Sequence, residues 1–271
     1  MLIGLETCQR YLRDLKQVPP TMIFLAPKGA GKSILIEGFA KARGLRVELT
    51  GNKIDDIREL IENSIALAEP TLFHIKEGDE LTTGAMNALL KVAEEPPKNC
   101  YIAIEIRNYD NVIPTIKSRA TTITLDNYKY TELIDFAKMQ GITNSDTLQE
   151  LCCVAETPGQ VLHLNQIGFD DCMEYANKVV TNILKVSTGN AFNIPNRITF
   201  QEEEDKIDVE IFLKIFLRLS KRHLKDNVKV IGKFILYTTQ ALNSLQQKGV
   251  IKPLIFDIWI LNIRKLRGVI K

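Results

Sequence analysis

The run Ala26-Pro27-Lys28-Gly29-Ala30-Gly31-Lys32-Ser33 combines glycines, a lysine and a hydroxyl in the order that suits a phosphate cradle. It follows a strand-like apolar run, Thr21 to Leu25, and leads into a helical pattern over Lys32 to Ala42, the strand, turn and helix that a P-loop requires. Gly29 and Gly31 can adopt backbone angles that turn successive N–H groups into one nest, and the helix start adds its dipole. Lys32 would reach the outer phosphates of a nucleotide, and the Ser33 hydroxyl would ligate Mg²⁺. The candidate nucleotide-binding residues are therefore Lys28, Gly29, Ala30, Gly31, Lys32, Ser33 and Ile34. Ala26 stands where the motif's first glycine usually falls.

Other chemistry-bearing residues are sparser. His74 lies in an apolar strand-like run, while His163 and His223 fall on helical patterns, and none has a base or ligand partner at a recognisable spacing. The cysteines, Cys8, Cys100, Cys152, Cys153 and Cys172, are odd in number and include no C-x-x-C pair. They read as buried reduced thiols, with neither a disulfide framework nor a zinc site. Trp259, among Ile255, Phe256, Ile258 and Ile260, reads as core or subunit contact.

Length and composition bound what surrounds the loop. The 271 residues, 45% hydrophobic and 25% charged, suit a soluble globular chain of two or three domains. No apolar run has the roughly 18 to 20 residues of a membrane span, and Met1-Leu2-Ile3-Gly4-Leu5-Glu6 lacks the basic start of a signal peptide, so the expected location is cytoplasmic with no membrane partner. The net charge of +2 hides an asymmetry: residues 205–271 hold 14 Lys+Arg against 5 Asp+Glu, or +9, and residues 1–204 hold 21 against 28, or −7. The basic end suits an acidic partner or nucleic acid, or else a solvated helical face.

Alternation of short apolar runs with helical patterns predicts an α/β domain with a parallel sheet in a three-layer αβα arrangement. Expected strands are Thr21 to Leu25, Arg46 to Thr50, Thr71 to Ile75, Tyr101 to Ile106 and Thr121 to Leu125. Expected helices are Lys32 to Ala42, Asp55 to Leu67 and Thr82 to Glu94, the last stopped by Pro96 and Pro97. Beyond Asp126 the strand signal fades. Helices are expected over Thr131 to Met139 and Asp146 to Ala155, then a break at Thr157-Pro158-Gly159, a helix over Asp170 to Val186 and a linker over Ser187 to Glu204. The last third reads as helical, with an apolar stripe of Ile207, Ile211, Phe212, Ile215, Phe216 and Leu219, followed by Val230 to Leu245 and Leu254 to Leu266. The expected domains are 1–126, a helical lid at 127–168, and an all-α domain at 169–271.

The stretch Met86-Asn87-Ala88-Leu89-Leu90-Lys91-Val92-Ala93-Glu94-Glu95-Pro96-Pro97 closely resembles the N-A-L-L-K-x-x-E-E-P-P signature of bacterial clamp-loader AAA+ subunits. Three further matches keep the family's order: Ile54-Asp55-Asp56-Ile57-Arg58-Glu59-Leu60, Ile113-Pro114-Thr115-Ile116-Lys117-Ser118-Arg119, and Thr157-Pro158-Gly159-Gln160-Val161-Leu162. Together they cover residues 1 to about 165, and the lid with Pro-Gly is most similar to the delta-prime branch of the family. The resemblance implies an AAA+ domain, a lid, and a helical collar at 169–271. It implies a stator of the DNA polymerase III clamp loader that binds ATP or ADP and hydrolyses it poorly. Implied partners are gamma/tau-type and delta-type clamp-loader subunits, the sliding clamp indirectly, and primed DNA as part of the complex.

Departures from the family pattern sharpen that picture. Hydrolysis by this fold uses an aspartate and a glutamate at the end of the third strand, one supporting Mg²⁺ and the other orienting water. The aligned pair is Lys76-Glu77, so Glu77 is the one candidate catalytic carboxylate in place, and Lys76 weakens the case for Mg²⁺ at Ser33. Asp79 and Glu80 are nearby alternatives, and Asn108 is the stand-in for the polar sensor after the fourth strand. The zinc module of many relatives is absent, so no zinc is expected. Arg119 takes the position of the arginine that acts in trans on a neighbour's nucleotide, which makes it the candidate catalytic residue of this chain. A working motor ATPase of the same loader, and an unrelated P-loop ATPase or kinase, are the alternative readings.

Overall fold

Near-continuous apolar runs in the central strands let one sheet bury both of its faces. The computed structural model describes residues 4–185, 198–200, 206–222, 228–247 and 249–266. These divide into two compact units, one formed by Met1–Phe136 with Glu156–Gln160 and the other by Ala137–Ala155 with Val161–Lys271. Residues of the expected lid, 127–168, therefore contribute to both units.

The first unit is the α/β fold that the alternation predicts. Its strands are β1 (Thr21–Leu25), β2 (Arg46–Thr50), β3 (Thr71–Ile75), β4 (Cys100–Ile106) and β5 (Thr121–Thr124), all parallel in the order β2-β3-β4-β1-β5. Helices α1 (Glu6–Asp14) and α2 (Lys32–Ala42) cover one face, while α3 (Ile54–Ser64), α4 (Thr83–Glu94) and α5 (Pro114–Lys117) cover the other. Strand parity decides the assignment. Ile23, Phe73, Ile75, Ile102, Ile104 and Ile106 pack with Leu60, Met86 and Leu89. Met22, Phe24, Leu72 and Ala103 pack with Leu35, Ile36 and Phe39 of α2.

Helix α1 is additional to the helices that the sequence predicts. Leu5, Cys8 and Leu12, at spacings of three and four, bury one face of it. Its terminal carbonyls are satisfied from a distance: Arg43 Nη2 donates to the oxygens of Leu12, Arg13 and Leu15 at 2.9, 3.1 and 2.6 Å. In α4 the signature residues divide by role, since Met86, Leu89, Val92 and Ala93 are buried while Asn87, Lys91 and Glu94 face solvent.

The second unit is mainly helical. It takes the end of α6 (Tyr130–Met139) and most of α8 (Pro158–Gln166), both of which begin in the first unit, together with α7 (Ser145–Val154), α9 (Phe169–Lys185), α10 (Val209–Arg222), α11 (Val228–Leu245) and α12 (Lys252–Arg264). The break expected at Thr157-Pro158-Gly159 is shorter than that, because Pro158 opens α8, where the missing N–H of proline costs nothing. Strands β6 (Ile198–Thr199) and β7 (Ile207–Asp208) form a small parallel pair. Ile207 is thus a strand residue rather than the first member of a helical stripe, although its side chain is buried like the others. Most of the expected linker, 187–204, lies outside the described residues, as does His223.

Aromatic packing fixes this second core. Phe212, Phe216 and Phe256 surround Trp259, which is 1% exposed. The indole Nε1 donates to Thr238 Oγ1 at 3.0 Å, so burial leaves its polar atom satisfied. Four of the cysteines are buried, and Cys153 is an exposed exception to the expectation of buried thiols.

Glu150 of α7 ties that helix to α10. Arg218 donates to both carboxylate oxygens at 2.9 and 3.0 Å, and Arg222 adds a contact at 2.8 Å. The hydrogen bond from Arg218 is the main cause that holds the Glu150 carboxyl below its usual range, burial opposes it, and the Arg222 charge assists. A depressed carboxyl stabilises the fold above its unfolded value and ceases to do so as pH falls through the folded value. Glu150→Gln should therefore cost about 1 kcal/mol at pH 7, discounted because the arginines are partly exposed. In urea melts, the gap from the parent chain should close as pH falls below the ordinary value of 4.5.

Candidate nucleotide-binding site

The loop between β1 and α2 leaves the C-terminal edge of the parallel sheet, beside the end of β4, with Leu25 in register with Ile106. Gly29 and Gly31 have φ values of 77° and 86°, the left-handed region that a nest needs and that glycine enters without strain. Gly31 is the N-cap of α2 and no side chain caps that helix, so the N–H groups of its first turn are left for an acceptor from outside.

The loop carbonyls, by contrast, are all engaged by the protein. Lys32 Nζ donates to the oxygens of Ala26 and Pro27 at 2.8 and 3.0 Å. Thr157 Oγ1 donates to Lys28 O at 2.8 Å, the Gly159 N–H to Gly29 O at 3.0 Å, and the Tyr128 hydroxyl to Ala30 O at 2.9 Å. With these acceptors satisfied, the polar groups left over are donors, which is the polarity that phosphate recognises. Lys32 is 6% exposed, and burial, its main perturbation, lowers its pKa, with the Glu105 charge acting in the opposite direction. To reach a phosphate it must leave the two carbonyls. Ile34 is exposed, so its contribution to such a site is its backbone.

Beneath α2 lies a buried polar chain. The Ser33 hydroxyl donates to Glu105 Oε1 at 2.6 Å, and His74 Nε2 contacts the same oxygen at 2.6 Å. Burial works against ionisation of Glu105, but the hydrogen bonds from His74 and Ser33 outweigh it, with the charge on Lys32 assisting, and hold the carboxyl below its usual range. The sequence reading gave His74 no partner. The structure supplies one from β4, because His74 and Glu105 share strand parity with Leu72 and Ala103 on the α2 face. The available signal was a polar residue interrupting each of two apolar strands at matched parity.

The carboxylates expected after β3 are committed elsewhere. Lys76 is exposed, and Glu77, at φ 52°, pairs with Arg107 at 2.6 Å. Asp79, 5% exposed, accepts the Asn108 N–H at 3.1 Å through Oδ2, while Oδ1 has no hydrogen-bond partner among the described residues. Glu80 is exposed. The Asn108 side chain accepts the Asp110 N–H at 2.9 Å, which makes it a turn cap. Arg119 follows α5 and is drawn to the end of the signature helix: Nη2 meets Glu94 at 2.8 Å, and Nη1 donates to Thr115 O at 3.0 Å.

Sequence comparison finds similarity to DNA polymerase III and Replication factor C subunits. Residues 42–129 match the family described as DNA polymerase III, delta subunit. Over 100 residues the chain is 31% identical to the DNA polymerase III subunit gamma/tau of Mycobacterium tuberculosis, covering 36% of this chain and 16% of that one. It is 35% identical over 117 residues to Replication factor C subunit 3 of Schizosaccharomyces pombe, covering 38% and 34%. It is 26% identical over 118 residues to the DNA polymerase III subunit delta' of Buchnera aphidicola, covering 44% and 32%. The matches thus span between 16% and 34% of these relatives' own length. In fold, the chain is similar to a DNA polymerase III gamma subunit-related protein of Thermotoga maritima, with TM-score 0.53 and 18% identity over 97% of this chain and 99% of that one.

The contact between loop and Gly159 leaves no room for a side chain. A Cβ on Gly159 would stand 2.5 Å from Gly29 Cα, and one on Gly29 would stand 2.8 Å from Thr157 Oγ1. Gly159→Ala should cost about 1 to 3 kcal/mol in thermal unfolding. It should also weaken ATP binding through the displaced Gly29, as read by calorimetric titration.

Proposed function

We propose that this chain is a subunit of a DNA polymerase III-type clamp loader, acting as a delta-prime-like stator that binds nucleotide and hydrolyses it poorly. The observation that carries the reading is the end of β3. A P-loop that keeps its Gly-Lys-Ser end is accompanied by a strand followed by the exposed Lys76 and a Glu77 already paired with Arg107 at 2.6 Å. A glutamate held by an arginine is a poor base for water, so the loop retains the means to bind phosphate without the means to cleave it. The likeness to gamma/tau, delta' and Replication factor C subunits supports the loader assignment.

In this reading residues 1–126 form the nucleotide-binding domain, 127–168 the lid and 169–271 the collar. Partners are gamma/tau-type and delta-type subunits, with primed DNA and the sliding clamp met through the assembly. Arg119 is the chain's catalytic contribution to a neighbour. Its planar guanidinium suits the charge that develops on a phosphoryl group in transfer, and the pair with Glu94 at 2.8 Å would hold it at the end of α4 until a neighbour's phosphate competes for it.

The test is steady-state ATP turnover of the loader reconstituted with gamma/tau-type and delta-type subunits, clamp and primed DNA. Arg119→Ala should lower DNA-stimulated turnover by about 10-fold or more. The isolated chain should show essentially no turnover. Unchanged turnover in the variant assembly, or brisk turnover by the chain alone, would count against the stator.

A further inference from the structure

A P-loop that binds nucleotide with Mg²⁺ needs a carboxylate beside its serine, and β3 does not supply one. Ser33 nonetheless has a carboxylate against it. We propose that Glu105, on β4, replaces the missing β3 carboxylate and, together with Ser33, supports Mg²⁺ on the bound nucleotide. The inference rests on the reading of the P-loop as a nucleotide site and assigns that site's metal support to a residue one strand away.

Topology makes the exchange possible. In the order β2-β3-β4-β1-β5, β4 lies between β3 and the strand from which the P-loop departs. Glu105 is in register with Phe24, one residue before the end of β1, and shares the α2 face with His74 and Ala103. A side chain here is nearer the loop than the end of β3 is in strand order, so glutamate on β4 can serve where the fold usually draws on β3.

The hydrogen-bond directions fit a cation. Ser33 gives its one hydroxyl hydrogen to Glu105 at 2.6 Å, so the lone pairs of Oγ are left for a hard metal ion. Both the Ser33 and the His74 contacts end on Oε1, and among the described residues Oε2 has no hydrogen-bond partner, which leaves it for metal-bound water. His74, 0% exposed, restrains the carboxylate as an outer-shell partner does in a metal site. Asp79, the other buried carboxylate near the end of β3, accepts from Asn108 instead, and among the described residues it makes no hydrogen bond to the loop. Since Glu77 is held by Arg107, Mg²⁺ support and water activation are separated in this chain, and a metal-bound nucleotide would persist.

The experiment is calorimetric titration of the full chain with a non-hydrolysable ATP analogue, in Mg²⁺ and in EDTA, with electron paramagnetic resonance of Mn²⁺ as a second readout. The parent chain should bind about 10-fold or more tightly with Mg²⁺. Glu105→Gln, which keeps the size and the acceptor oxygen, should retain the affinity seen in EDTA, lose the gain from Mg²⁺, and lose the bound Mn²⁺ signal. If that variant does not fold by circular dichroism, Glu105→Asp serves: it keeps the charge, draws it back by one methylene and should shrink the gain. A gain that survives in whichever variant folds, or a parent chain that binds equally well in EDTA, overturns the assignment of Glu105 alone. Absence of nucleotide binding in both buffers overturns the reading of the loop and the inference with it.

Discussion

Glu105 is a carboxylate placed under a helix N-terminus with 12% of its side chain exposed, and the arrangement around it follows from keeping that charge. An ionised carboxylate taken from water needs hydrogen bonds and opposite charge, or it takes up a proton. His74 from β3, and Lys32 and Ser33 from the start of α2, supply them. The same interaction therefore joins the middle of the sheet to the P-loop and sets the position of the hydroxyl that any metal ion would meet.

A second constraint acts on the loop backbone. Carbonyls from Ala26 to Ala30 all accept from the protein, two from Lys32 and the others from Thr157, Gly159 and Tyr128. Buried carbonyls without partners would be costly, and a loop that must present N–H groups to a ligand has to satisfy its oxygens some other way. The segment at 156–160 does part of that work, at so close an approach that only glycine fits on either side. The loop and that segment are thus joined through backbone atoms.

Where hydrolysis would need a free glutamate, Glu77 is paired with Arg107, and Arg119 is paired with Glu94 on the signature helix. Charge pairs at partly exposed positions contribute little to stability.

Sequence alone determined the sheet and most of its helices, because local periodicity is written in the residues themselves. The five expected strands lie within a residue of those observed, and the P-loop was legible as a strand, turn and helix. Short elements escaped: α1, with a small apolar face among polar residues, and the two-residue strands β6 and β7 carry too little pattern to stand out. The helix start at Pro158 was read as a break because proline and glycine punctuate both. Only the tertiary structure could bring Glu105 to His74 and Ser33, or Thr157 and Gly159 to the loop. Those contacts join residues 31, 72 and about 130 positions apart, and depend on which strands neighbour one another rather than on any local pattern. The P-loop was written in adjacent residues; the carboxylate beside it was decided by the order of the strands.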